Sequence, residues 1–301
     1  MTEPAQRQGM RPVLVRMLEG RVGSTLVMQL LATSDAVALD RVYPFEHSYL
    51  TYLTRLVGQI DAARSQGADL TALLYGGGAG VGPLPFDAGI VDPAELARRA
   101  LGAVWTAFAD AVQLRSELNA AAPPALYAEK FWGDVGPLVA AGLRPIVVDL
   151  VRDPRDVVAS IRAFNVKTGR AGFGRAAVED DDQHLRRLVV GMALRLGEFA
   201  AAPVAADAHI RVRYEDLVTD LEAEAARLGA LLGTGFDAGA VLAAAPSLAG
   251  HMTSSTVPGS IGRWTRDLPV QDVALIERRL GRQMTELGYS LSAGERGQGA
   301  Q

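Results

Sequence analysis

The sequence predicts an α/β protein with a central parallel sheet flanked by helices. Three observations predict it. Short runs that read as strands at residues 11–18, 125–131, 144–151 and 210–214, the first apolar and Val-rich and the third a continuous apolar run, alternate with segments whose apolar residues recur at helical spacing. Two of those runs end in turn chemistry that opens a helix, a Gly-containing turn after residue 18 and Arg-Asp-Pro after residue 151. With 301 residues, 49% hydrophobic and 21% charged, the chain is long and apolar enough to bury a large core.

The elements follow in order. Residues 11–18 (RPVLVRML) read as a strand. After EGRVG, Ser24 is placed to cap a helix whose apolar positions are Leu26, Val27, Leu30 and Leu31. A second helix is expected from about Ser48 to Arg64, followed by a Gly/Pro-rich loop over 76–92. Asp92-Pro93 opens a long helix to about Asn119, with Pro at its favoured first position. Ala125–Phe131 and Arg144–Val151 are strands, the second buried on both faces by its continuous apolar run. A helix follows over Asp156–Phe164, then a Gly-rich charged loop over 165–182 and a helix from about Gln183 to Ala201. Ile210–Tyr214 is a strand, Glu215–Leu232 mostly a helix, and Val270–Leu287 the last helix. The reading is of a flexible stretch over 1–10, a single domain over 11–290 and a flexible tail over 291–301, without internal repeats.

Composition narrows the chemistry. The chain has 30 basic and 34 acidic residues and a formal net charge of −4, so the broad basic footprint of a nucleic-acid binder is missing; a local anion pocket remains compatible with it. With no Cys, thiolate metal sites, disulfides and Cys nucleophiles are excluded. The four His show no metal-binding spacing, so no metal is expected. No apolar run reaches membrane-spanning length and the first residues lack a signal-peptide apolar region, which predicts a cytoplasmic protein. Of the 30 basic residues only Lys130 and Lys167 are lysines, which leaves 28 arginines and makes a single Arg uninformative.

Two segments carry chemistry. Arg21-Val22-Gly23-Ser24-Thr25, continued by Leu26, is built as an anion cradle: Gly lets backbone approach a ligand, helix-start amides point outward and two hydroxyls add donors. The bland alternative is a plain strand-to-helix turn. The cradle is not a Walker A loop, because the Gly-Lys pair at the required spacing is absent. Arg152-Asp153-Pro154-Arg155-Asp156 ends a strand, with Ser160 eight residues after Arg152; a guanidinium fork and a hydroxyl suit a phosphate. Helix start signals with a surface ion pair would also account for it. In an open α/β sheet both segments should face one crevice beyond the strand ends.

Together these segments resemble the sulfotransferases that use 3′-phosphoadenosine 5′-phosphosulfate (PAPS). Arg21–Thr25 is similar to the family's 5′-phosphosulfate loop, and Arg152 through Ser160 to its 3′-phosphate motif with the same spacing. Tyr214-Glu215-Asp216-Leu217 resembles the strand end whose Tyr stands near adenine, and Ser260-Ile261-Gly262-Arg263-Trp264 the C-terminal loop that closes over the nucleotide. The resemblance implies a P-loop-NTPase-like fold. It implies PAPS as donor, 3′,5′-bisphosphoadenosine (PAP) as product and no metal. Arg21 favours the carbohydrate- and tyrosine-directed branch over the cytosolic branch that uses a His base. Val257-Pro258-Gly259 stands where the family has Arg-Lys-Gly, leaving Ser254, Ser255 or Ser260 as substitutes for that phosphate clamp. After Lys130 come Phe131 and Trp132 where many members carry the catalytic His.

What the resemblance implies for mechanism is in-line transfer. Arg21 and Lys130 neutralise charge on the transferring group, and Glu46 takes the acceptor's proton from an apolar, aromatic setting that raises its pKa; a capping carboxylate is the plain reading of Glu46. Glu129 and His47 are reserve bases, Glu129 being expected to pair with Lys130 or an Arg. The acceptor is a hydroxyl of a small molecule, lipid or glycoside, in a pocket made partly aromatic by Tyr43, Phe45, Tyr49, Tyr52, Phe86 and Phe173. Two other functions are open. One is a magnesium- and ATP-dependent kinase-like transferase using Asp149 or Asp153. The other is a nucleotide-binding module without transfer activity.

Overall fold

A computed structural model describes residues 9–61, 91–119, 121–169, 179–244 and 258–292. Its five-stranded sheet has the order β2-β3-β1-β4-β5, with β1 Arg11–Met17, β2 Val37–Ala38, β3 Leu126–Phe131, β4 Ile146–Val151 and β5 His209–Arg213. The strands are parallel, as the register Val37↔Leu126 and Ala38↔Tyr127 shows for β2 and β3. Every residue of β3 and β4 is buried, as expected of parallel strands covered by helices on both faces.

The helices are α1 Ser24–Leu31, α2 Tyr49–Gly58, α3 Pro93–Leu118, α4 Gly136–Ala140, α5 Pro154–Thr168, α6 Asp181–Ala200, α7 Tyr214–Thr219, α8 Leu221–Leu232, α9 Ala238–Ala244, α10 Trp264–Asp267 and α11 Val270–Glu286. The caps follow the sequence signals: Asp92 accepts from Ala94 N ahead of Pro93, and Asp153 accepts from Arg155 N ahead of Pro154. The acidic run before α6 is a capping box between Asp180 and Gln183.

Several expectations are corrected. Helix α2 ends at Gly58 rather than near Arg64. Helix α5 continues to Thr168, so part of the loop expected over 165–182 is helical. The helix expected over 215–232 is two, because Asp220 leaves helical geometry (φ −148°) and caps α8 by accepting from Ala223 N. Ser24 is the first residue of α1, not its cap; Gly23 holds that position with φ 90° and no side-chain cap bond.

The chain's contacts cluster into two compact units, residues 1–15, 34–147 and 202–209, and residues 16–33, 148–201 and 210–301. The first has a core around Leu14, Leu50, Leu101, Trp105, Phe131 and Leu138. On its flank Phe108 meets Tyr127 edge-on at 4.9 Å and stacks on Tyr49 at 5.7 Å. In the second unit α11 buries Val273, Ile276, Leu280 and Met284 at helical spacing against α5 and α6. There Arg16 forms a buried two-point pair with Asp149, at 2.7 and 2.8 Å.

Candidate active site

In the second unit, four segments far apart in sequence meet through Arg152 and Tyr214. The Arg152 guanidinium donates from Nη1 to the Arg21 carbonyl at 2.9 Å and from Nη2 to the Ser260 carbonyl at 2.6 Å, and lies 4.2 Å from the Tyr214 ring centre. The Tyr214 hydroxyl is 2.7 Å from Ser260 Oγ. The same ring fills the space beside Gly23, where a Cβ would come within 2.6 Å of it. Gly23 is therefore required twice, by its left-handed backbone and by the ring.

The first loop carries further signs of specialisation. Arg21 has φ 67°, a conformation costly for a residue with a Cβ, and its guanidinium lies 4.6 Å over Phe164. Val22 is buried, whereas Ser24, Thr25 and Leu26 are half-buried on the first turn of α1. Leu26 N and Val27 N bond back to Gly23 O, while helix geometry gives the earlier amides of that turn no intrahelical acceptor. An anion is the natural complement of such a turn. Arg152 is buried, and its Nε has no hydrogen-bond partner among the described residues. A buried guanidinium N–H in that state suits an anionic acceptor.

The other expected nucleotide residues are differently disposed. Ser160 is buried within α5. Arg263 is buried and paired with Asp267 at 2.7 Å, and Gly262 (φ 68°) donates its amide to Asp156 at 2.7 Å. Ser255, with Ser254 and Val257, lies outside the described residues, as do Phe86 and Phe173. The kinase-like candidates are spent on structure, Asp149 on Arg16 and Asp153 on Arg155 at 2.7 Å.

Two residues that motif reading passed over organise this region. Asp156, in the first turn of α5, accepts from Gly262 N at 2.7 Å and Trp264 N at 2.9 Å; burial pushes its carboxyl up to about 6 against those bonds and the nearby Arg152 charge. Glu215 accepts from Asp153 N at 2.9 Å and from the Tyr289 hydroxyl at 3.0 Å, tying the start of α7 to the end of β4. Asp156 was visible as the last residue of the Arg-Asp-Pro-Arg-Asp run; its partners, over a hundred positions away, were not.

The first unit holds Lys130, Glu46 and Glu129. The buried Lys130 ammonium donates to Pro44 O at 2.7 Å and to Glu46 Oε1 at 2.5 Å. Burial lowers its pKa, and Glu46 opposes that shift. Glu46 is not in the apolar setting expected of it: its side chain is 58% exposed and held by the lysine. Glu129 does not pair with Lys130, because successive strand residues face opposite sides. Its carboxylate accepts from Leu50 N, Thr51 N, Thr51 Oγ1 and the Tyr127 hydroxyl, all within 2.9 Å, which caps α2. Burial raises the Glu129 pKa despite these four donors. His47, the other reserve base, pairs with Asp40, whose pKa is lowered first by the Val42 amide and further by His47. Between them, after a cis Tyr43-Pro44 bond, Phe45 is the other non-glycine residue with positive φ (66°) among the described residues.

Comparison with known proteins adds a family. The sequence profile of the sulfotransferase family matches residues 19–238. No curated protein matches the chain. Among solved structures, the sulfotransferase domain of the Synechococcus olefin synthase is 17% identical, with 97% of this chain and 99% of that one covered and a TM-score of 0.48. The sulfotransferase domain from the curacin biosynthetic pathway is 16% identical, with 94% and 98% covered and a TM-score of 0.46. A sulfotransferase from Mycobacterium avium is 14% identical, with 94% and 78% covered and a TM-score of 0.46. The profile match takes in well over half of the chain and includes the first loop, β4 and Tyr214, so this protein belongs to the sulfotransferase family.

Proposed function

We propose that this protein transfers a sulfuryl group from PAPS to a hydroxyl of a small-molecule, lipid or glycoside acceptor. The observation that carries the reading is the junction at Arg152, which ties the first loop through Arg21 O to the C-terminal loop through Ser260 O. In this reading the amides of Gly23 to Leu26, with Ser24 and Thr25, receive the 5′-phosphosulfate. Arg152 and Ser160, with Ser255, Ser260, Gly262 and Arg263, serve the 3′-phosphate, and Tyr214 the adenine. The buried Arg152 Nε supports a phosphate there. Both Arg152 Nη groups hold the two loops together, so in this reading the residue is a brace as well as a hydrogen-bond donor to the phosphate.

Acceptor oxygen attacks sulfur in line, the bond from sulfur to the bridging phosphate oxygen breaks, PAP leaves, and the acceptor's proton goes to Glu46. The exposure of Glu46 leaves its carboxylate reachable by a hydroxyl. Once protonated, Glu46 no longer holds the Lys130 ammonium as an ion pair, and in this reading the ammonium, still bonded to Pro44 O, offsets charge developing on oxygen. No step calls on a metal. The test is thermal stabilisation by PAP against ATP with magnesium. A shift with PAP alone is expected; a shift with ATP alone overturns the donor assignment.

A further inference from the structure

Asp156 is a buried carboxylate whose oxygens are not used on its own helix. The α5 N-terminus is already capped by Asp153, which accepts from Arg155 N. Asp156 instead gives Oδ2 to the amide of Gly262 at 2.7 Å and Oδ1 to that of Trp264 at 2.9 Å. Between those two amides lies Arg263, and two residues before Gly262 the Ser260 carbonyl accepts from Arg152. The segment is thus gripped from opposite electrical sides, a guanidinium on its carbonyl and a carboxylate on its amides. Arg152 adds a favourable field at Asp156 and Asp153 an unfavourable one, while the neighbouring Arg155 is taken up by Asp153, Glu277 and the Ser290 carbonyl and lies 3.9 Å from the Trp264 ring.

Burying an ionised group is costly, and apolar contacts of equal volume would hold a loop as firmly. What two amides on one carboxylate add is direction: they fix the peptide planes around Gly262 and Arg263. Gly262 has φ 68°, so the backbone turns sharply at the gripped position.

We propose that Asp156 is a positioning residue for the nucleotide: it fixes residues 260–264 in the shape in which Ser260, Gly262 and Arg263 meet it, without touching it. This rests on the donor reading given above, and the experiment separates the two. Binding of PAP is measured by calorimetry for the wild type, Asp156→Asn, Asp156→Glu and a destabilised control, Leu138→Ala, in the core of the other unit. Amide hydrogen exchange is followed on the same nucleotide-free proteins.

Asparagine keeps one acceptor and turns the other into a donor, so exchange at Gly262 and Trp264 should quicken at least about tenfold and PAP affinity should fall about tenfold. Asp156→Glu should recover part of both, and Leu138→Ala should leave affinity within about twofold, since its damage is remote. Unchanged exchange in Asp156→Asn overturns the latch. Faster exchange with unchanged affinity overturns the positioning role, as does an equal loss of affinity in Leu138→Ala. If Asp156→Asn does not fold, Asp156→Glu carries both readouts with the same signs and smaller size. A wild type that binds no PAP overturns the donor reading and the positioning role together, while exchange still reports whether the carboxylate holds the loop.

Discussion

Replacing Gly23 by Ala tests the packing at the head of α1. The new side chain meets two separate penalties. Its φ of 90° costs a residue with a Cβ about 1–2 kcal/mol. Its Cβ also falls 2.6 Å from Tyr214 Cδ2, so the ring must move. A displaced ring loses the 2.7 Å contact with Ser260 Oγ, worth about 1 kcal/mol, and loosens the stack on Arg152 at 4.2 Å, worth about 1 kcal/mol in a site sheltered from water. The single substitution should therefore cost about 3–4 kcal/mol. In a Tyr214→Ala background only the backbone penalty remains, about 1–2 kcal/mol, which leaves a coupling of about 2 kcal/mol between the two positions. Urea denaturation of the four proteins of the cycle measures it. Additivity within about 0.5 kcal/mol would mean that the ring does not press on Gly23, and the steric argument would fall.

Glu129→Gln should destabilise by about 2–4 kcal/mol, because the new amide faces donors where the carboxylate accepted from Leu50 N and the Tyr127 hydroxyl or from Thr51; urea denaturation reads the loss, and a change below about 0.5 kcal/mol would deny the capping role. Glu46→Gln should lower kcat by about 10² or more with PAP affinity kept, which steady-state kinetics and calorimetry together check; unchanged turnover would remove Glu46 as the base. The Asp156 carboxyl, pushed by burial up to about 6 from the ordinary 3.8 of an aspartate, binds a proton more readily folded than unfolded. Its contribution therefore makes stability fall as pH rises from about 4 to about 6, by about 3 kcal/mol, and stay level above that window. Asp156→Asn should remove that slope from wild-type urea titrations at pH 4 to 7, and an identical slope in the variant would refute the assignment. Arg152→Ala should weaken PAP binding and also quicken amide exchange around Arg21, since its Nη1 holds that carbonyl; exchange confined to residues 258–264 would deny the brace.

What could be read in the sequence was local. Asp92-Pro93 and Asp153-Pro154 marked helix starts because cap and proline act within three residues. Strand β4 was legible because burial on both faces leaves a nearly continuous apolar run, whereas β3, buried throughout but carrying Glu129 and Lys130, was legible only as a short strand. The two residues of β2 carry too short a pattern to separate from a loop, and Asp220 interrupted an apolar periodicity that runs on either side of it. The site divides along the same line. Gly23 and Arg152 sit in compact motifs, whereas the partners of Glu129 on α2 lie 78 and 79 positions away and those of Asp156 106 and 108, where only folding brings them together. Alternation along β3 would have excluded the Glu129–Lys130 pairing from sequence alone. Ser24 and Glu46 show the converse failure: chemistry suitable for a cap or a buried base does not fix the backbone geometry or the exposure that those roles require.

The segment from Pro44 to Thr51 is fastened to two consecutive residues of β3 by six bonds: Pro44 O and Glu46 on the Lys130 ammonium, Ser48 Oγ on the Lys130 carbonyl, and the Leu50 amide, the Thr51 amide and Thr51 Oγ1 on Glu129. Of these fastenings only Glu46 is an exposed carboxylate, and it is the one that the proposed role as base would commit to an incoming alcohol. Giving it up leaves five rivets in place, so under that proposal the segment does not follow the guest. Discrimination among acceptors would then be a matter of fit to a fixed mould, and enlarging the range of molecules accepted would call for reshaping the mould rather than loosening it.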